Sequence, residues 1–252
     1  MLKISAEKIN ELFDKIASQQ TLYIPVDRED KQAEYKKYES GMTLSKALNT
    51  VRSAKDFFFP QTENLAEFKL SGKAIEVKDI RKENEDFVVF GVRACDAKSF
   101  EILDSVYLSD PVDSYYKNRR DHGIVISMAC ARPAETCFCG TFGIDAAKPE
   151  GDVVFTEIDG GYAVEAKTEK GSAFLAPLAD VSGETEEAKA EEAAEKIHAI
   201  LARLPLAKLD SSKFGGGKTD EFFGDSRWEE LSEACLACGT CTFVCPTCQC
   251  YD

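Results

Sequence analysis

The sequence predicts a mixed α/β (α+β) N-terminal domain with a partly parallel sheet, followed by the first half of a ferredoxin-like dicluster module. Three observations carry this expectation. Phe87 to Val92, reading FVVFGV, and Gly123 to Ala129, reading GIVISMA, are unbroken apolar runs of strand length, as in strands buried on both faces. A helical stretch from about Ala97 to Val106 lies between them, and strand, helix, strand in that order implies a parallel crossover. Residues 235 to 250 then hold six of the ten cysteines. The chain divides accordingly into an α/β domain with a C-terminal linker at 1–224 and a cluster-binding segment at 225–252.

The other elements follow in chain order. Residues 6 to 18 place Ile9, Leu12, Phe13 and Ile16 on one helical face, with Ser5 as the expected N-cap. Thr21 to Pro25 is a short strand. Ser53-Ala-Lys-Asp-Phe-Phe-Phe-Pro60 carries three consecutive aromatics, too many for an exposed loop, so they are expected to anchor core. Val153 to Ile158, the turn Asp159-Gly160-Gly161 and Tyr162 to Ala166 read as a β-hairpin. Glu184 to Arg203 is rich in Ala and Glu and reads as a long helix ended by Pro205. Leu204 to Gly224, with Gly215-Gly216-Gly217, reads as a linker, and a short helix near Trp228 to Glu233 leads into the cysteine run. No internal repeat is present.

Composition narrows the function classes. A length of 252 residues is enough for a substantial core. The formal charge of −14 argues against nucleic-acid binding, since phosphates would be repelled. No run of eighteen apolar residues exists, so no membrane span is expected. The start, MLKISAEKINELF, lacks the apolar centre of a signal peptide. Clustered cysteines without such a leader bind metals or do redox work more often than they form disulfides, so a cytoplasmic protein is expected.

Cys235, Cys238, Cys241 and Cys245 form C-x2-C-x2-C-x3-C with Pro246 directly after, the bacterial ferredoxin spacing for an iron–sulfur cluster. A cubane offers one open site on each iron, and two-residue spacers let three thiolates on a tight loop cap three neighbouring irons. Pro246 fixes its own φ and turns the backbone away after the fourth. In two-cluster ferredoxins that fourth cysteine serves the other cluster. Cys235, Cys238 and Cys241 are therefore expected to share one [4Fe–4S] cluster and Cys245 to point to a further one. The remaining ligands of that further cluster are absent from this sequence, and the natural chain is expected to continue, with another such motif. Cys248 and Cys250 have no assigned role. Zinc is the competing reading, but zinc sites favour two C-x2-C pairs separated by a longer loop. The backbone amides at Gly239 and Thr240 are candidate sulfur donors, opposing the lowering of potential expected from bulk acidity.

The other four cysteines form a second pattern. Cys95 is expected to end the first buried strand and Cys130 the second. If those strands share a parallel sheet, both emerge at its carboxyl edge, where open α/β sheets place ligands. Cys137 and Cys139 lie on a loop able to fold back over that edge, giving four thiols for a further cluster. The alternative is that Cys95 and Cys130 are merely buried small apolar residues.

These motifs together resemble a known family. GVRACDAKSF, the segment Asp110 to Arg120 and IVISMACARPAETCFCGTFG look like the beta subunits of the sulfhydrogenase and anaerobic sulfite reductase type. Ser53-Ala-Lys55, Phe58-Phe59-Pro60 and Glu63 are similar to a motif of the same family, and CLACGTCTFVCPTCQCYD matches its first ferredoxin motif. The resemblance covers most of residues 50–145 and 230–252. It implies a dicluster iron–sulfur protein beside a flavin-containing subunit that handles NAD(P)H, passing electrons to or from a catalytic partner such as a hydrogenase or sulfite reductase. It also implies a hetero-oligomer, with an additional cluster on Cys95, Cys130, Cys137 and Cys139.

Two further readings compete. A self-contained iron–sulfur flavoenzyme would need a dinucleotide site, and no G-x-G-x-x-G follows a strand. A zinc-stapled interaction module is the other. Ser211 to Thr219 hints at a phosphate loop, but the required first glycine falls on Ser212 and no buried strand precedes it. His122 and His198 are too isolated for a catalytic pair. Arg119 and Arg120 are expected to cap a helix end, and Asp96 to cap the helix that follows Cys95.

Overall fold

A computed structural model describes residues 1–30, 32–83, 85–179, 182–184, 187–213 and 215–249. In chain order the elements are β1 (Leu2–Ser5), α1 (Ile9–Ala17), β2 (Thr21–Asp27), β3 (Ala33–Lys37), β4 (Glu67–Ser71), β5 (Ala74–Lys78), β6 (Phe87–Arg93), α2 (Ala94–Tyr107), α3 (Ser114–His122), β7 (Gly123–Met128), β8 (Val153–Ile158), β9 (Gly161–Ala166), α4 (Glu169–Leu175), β10 (Gly183–Glu184), α5 (Glu187–Leu201), α6 (Lys218–Glu221), α7 (Arg227–Ser232) and α8 (Thr240–Val244). Among the described residues one eight-stranded sheet runs β10-β1-β9-β8-β7-β6-β2-β3. Its centre, β8-β7-β6-β2, is parallel, and the flanking pairs are antiparallel. The partly parallel sheet read from FVVFGV and GIVISMA is thus present, with those two segments as neighbours.

Period-two alternation divides the core between the two sheet faces. Val88 and Phe90 of β6, with Ile124 and Ile126 of β7, pack against α1 and α4. Val89 and Val125 face the other way, onto Phe58, Phe100 and Tyr116. A bulge at Gly91 interrupts the register between Phe90 and Val92. Gly91 has φ +84°, a left-handed conformation open to glycine, and a Cβ there would stand 3.0 Å from the Pro25 ring. The extra residue puts Val92 on the same face as Val89.

Helix α1 buries Leu12, Phe13 and Ile16 as its spacing requires, but it starts later than expected. A 3-10 turn at Ala6–Lys8 precedes it, and the Ser5 side chain makes no capping hydrogen bond. Phe13, Phe90 and Phe155 meet edge to face at 4.9 and 5.0 Å, contacts worth about 0.5–1.5 kcal/mol each beyond burial. The 3-10 helix Ala54–Phe57 and Phe58 bring the expected aromatic anchor onto the opposite face, where Phe58 is fully buried between Phe87 and Phe100. The predicted hairpin is β8–β9, with Gly161 pressed onto the Ile4 carbonyl of β1. The long helix spans Glu187–Leu201, inside its expected bounds, and buries Ala194 and Ile197 against Ala129 and Ala147.

Two further features depart from the sequence reading. Strands β4 and β5 form a separate hairpin, exposed throughout. Phe68 faces Val77 and Leu70 faces Ile75 across it, while Glu67 faces Lys78 and Lys69 faces Glu76 on the other side. The expected linker, 204–224, contains the 3-10 turn Ser211–Lys213 and α6 among its described residues. No described helix is long and apolar enough to cross a membrane.

Candidate metal centre

The carboxyl edge of the parallel strands gathers the first cysteine set. β6 ends at Arg93 and α2 starts at Ala94, so Cys95 lies in the first turn of the helix and not at the strand end as expected. Arg93 occupies the N-cap position; the Arg93 guanidinium reaches back to the Leu48 carbonyl (Nε, 2.9 Å) and the Ala47 carbonyl (Nη2, 3.0 Å). Asp96 does not cap α2. Its carboxylate accepts a long hydrogen bond from Ser53 Oγ at 3.4 Å. Although partly accessible, that carboxyl is pushed up to about 6 by desolvation, against the opposing pull of Ser53 and Arg93.

Cys130 follows β7 by two residues and is buried, its amide donating to the Ala146 carbonyl at 2.8 Å. Cys137 and Cys139 are half-buried on the loop beyond, where a 3-10 turn over Cys139–Phe142 closes at Gly143 in a left-handed conformation. Cys95 lies near Cys130 and Cys139, and Cys137 lies near Cys130 and Cys139. Burial pushes the Cys95 thiol up to about 12, even though part of the residue meets solvent, and it raises Cys130 and Cys139 as well. Thiols held in this way keep their protons unless a bound cation displaces them, since a coordinating metal deprotonates its thiol outright. Among the described residues, no three His, Cys, Asp or Glu side chains stand close enough to hold a single metal ion.

The second set lies on the terminal segment, folded around α7 and α8 with no strand among its described residues. Ala237 takes φ +53° and Gly239 φ +70°, one left-handed residue in each two-residue spacer. These turns wrap backbone around sulfur. The Ala237 amide donates to Cys235 Sγ at 3.4 Å, and Thr240 Oγ1 lies 3.3 Å from Cys238 Sγ. The hydroxyl and amide of Thr240 hold the Cys238 thiol below its ordinary value, so the donor expected at Thr240 is present. Burial raises the Cys245 thiol, but hydrogen bonds from Thr247 and Cys248 outweigh it and leave the thiol lowered. Cys238 and Cys245 are thus favoured as thiolates, where Cys95, Cys130 and Cys139 are disfavoured, and the thiol donors and sulfur-directed hydrogen bonds of the loop suit a cluster. Cys250 lies outside the described residues.

Three further expectations are resolved. Arg120 does not cap α3: it forms a two-pronged pair with Asp104 (2.9 Å from both Nε and Nη2), and Tyr116 OH donates to the same carboxylate at 2.7 Å. Arg119 pairs with Glu63. His198 lies on the exposed face of α5 with Nε2 2.8 Å from Asp145, while His122 Nδ1 lies 2.7 Å from Asp86, so the two histidines bond to separate carboxylates. Lys55 was placed by the sequence only within the family motif, with no contact assigned to it. It is buried, and its ammonium donates to the carbonyls of Cys245 at 2.7 Å and Cys248 at 2.9 Å. A lysine set shortly before three aromatics was the available signal.

None of the nine described cysteines is in a disulfide. The fold and the two cysteine sets define a cysteine-rich mixed α/β protein. No protein-family model matches the chain, and no solved structure matches it. It is similar to sulfhydrogenase 2 subunit beta of Pyrococcus furiosus, 32% identical over 259 residues that span 100% of this chain and 73% of that protein. The chain belongs to the sulfhydrogenase beta-subunit family.

Proposed function

We propose that this protein is an iron–sulfur electron-transfer subunit of a multi-subunit oxidoreductase. In this reading it relays electrons between a catalytic partner (a hydrogenase, sulfite reductase or similar anaerobic enzyme) and a flavin-containing NAD(P)H oxidoreductase subunit. The observation that carries the proposal is the C-x2-C-x2-C-x3-C-Pro run in a loop whose amides and hydroxyls converge on sulfur, in a chain of this family. Cys235, Cys238 and Cys241 would hold one [4Fe–4S] cluster, Cys245 would serve a further one, and Cys95, Cys130, Cys137 and Cys139 would hold a cluster at the sheet edge. Such clusters, when bound, supply one-electron transfer. The residues of the chain supply the rest: they fix the ligands, exclude water from Cys130 and set local charge through Asp96, Arg93 and Lys55. Accessible thiols of this number suit the reducing cytoplasm.

The test is anaerobic purification followed by iron, sulfide, zinc and flavin analysis. About four to twelve irons per chain with matching sulfide is the expected result. Zinc without sulfide would overturn the cluster assignment, and flavin on the isolated chain would overturn the division of labour.

A further inference from the structure

Residues 52–55 touch the terminal cysteine segment on one side and Asp96, the neighbour of Cys95, on the other. Lys55 is 6% exposed, and a buried ammonium must be hydrogen-bonded or paired to be tolerated. Its acceptors, the carbonyls of Cys245 and Cys248, lie 190 and 193 residues further along the chain. The peptide after Cys245 has no N–H, because residue 246 is proline, so the Cys245 carbonyl is the only hydrogen-bonding group that peptide can offer. Arg52 covers the Phe243 ring at 5.1 Å, a second contact onto the same terminal segment. On the other side of the stretch, Ser53 Oγ donates to Asp96, the neighbour of Cys95, and accepts from the Lys55 amide at 3.2 Å. A chain of covalent and hydrogen bonds therefore runs from Cys245 through Lys55, Ser53 and Asp96 to Cys95.

We propose that Lys55 is a positioning residue that docks the terminal cysteine segment onto the sheet edge and so holds the two cysteine sets side by side for electron passage. The inference rests on the cluster assignment proposed above. Its physical content is twofold. The ammonium orients the peptide planes of Cys245 and Cys248, leaving the Cys245 sulfur to Thr247 and to iron. It also places a positive charge beside Cys245, which favours the reduced state of a cluster held there.

The experiment uses the full chain, purified anaerobically, as wild type, Lys55→Met and Lys55→Arg. In Lys55→Met, backbone amide exchange over residues 244–249 is expected to accelerate about ten- to a hundredfold, the factor for losing charged hydrogen bonds. The midpoint potential of one cluster is expected to fall while iron content holds, and Lys55→Arg to bring the potential back towards wild type. Unchanged exchange and unchanged potential in Lys55→Met at full iron content would overturn the proposal. If Lys55→Met does not fold, the wild type decides: residues 244–249 exchanging as freely as an exposed loop, while 54–58 stay protected, would overturn it too. Wild-type protein without iron would refute the cluster assignment, and amide exchange would still report whether Lys55 docks the segment.

Discussion

Replacing Phe58 with Ala should remove the support under residues 52–55 and a large part of the stability of the domain. Phe58 is fully buried, its ring 4.9 Å from Phe100 in an edge arrangement and 5.5 Å from Phe87, with the Arg120 guanidinium 5.1 Å from its centroid. Burial loss and the residual cavity together cost about 3–5 kcal/mol for a Phe→Ala change in a close-packed core. Against a typical total of about 5–15 kcal/mol, that is a large fraction. Phe58→Leu keeps most of the volume but loses the aromatic edges and the cation contact, so about 1–2 kcal/mol is expected. Urea unfolding followed by far-UV circular dichroism measures both. A loss below about 1 kcal/mol for Phe58→Ala would mean that the aromatic triplet is not core, and the account of how Lys55 is carried would fail with it.

Four other outcomes can be checked. Cys238→Ser and Cys130→Ala should each remove about one cluster's worth of iron, about four irons, and the double variant should lose the sum if the two sets are separate sites. Asp145→Asn should cost about 0.5–1 kcal/mol at neutral pH, because the carboxylate accepts from His198 on α5 in a partly exposed pair. Burial acts to raise Asp145, but His198 and the Ala147 and Lys148 amides outweigh it and leave it below its ordinary value of 3.8. The contribution is therefore complete above about pH 4 and lost as pH falls through the folded-state value, so wild type and variant should converge in acid melts. Gly171→Ala should destabilise by about 1–3 kcal/mol in thermal melts, since a Cβ there would strike the Asp152 carbonyl.

The central sheet was legible because FVVFGV and GIVISMA are apolar without interruption, a pattern that only two-sided burial produces. The hairpin was legible because Asp159-Gly160-Gly161 supplies turn chemistry between alternating runs. β3, Ala33–Lys37, was not legible: Ala33 is its one fully buried residue, it pairs with β2 through backbone, and its composition is that of a loop. The β4–β5 hairpin escaped for a related reason, since its apolar residues alternate but nothing in the described chain covers them. In the candidate site, local spacing marked both cysteine sets. The contact from Lys55 to Cys245 spans 190 residues and leaves no periodic trace. Cys95 was placed one element early because α2 starts at Ala94, directly after β6 and sooner than the apolar pattern suggests.

That bulge makes residue count a functional variable. A strand is a two-state counter: each added residue turns the rest of the chain over. With Gly91 interposed, the segment from Val92 onward is out of phase with Phe87–Phe90. Arg93 then meets the carbonyls of residues 47 and 48, and α2 leaves with Cys95 in its first turn. Deleting Gly91 would keep every side chain that touches a thiol and still present them in the opposite phase. Residue identity alone does not define the proposed site, because the parity of the strand that precedes Cys95 also sets where its residues stand.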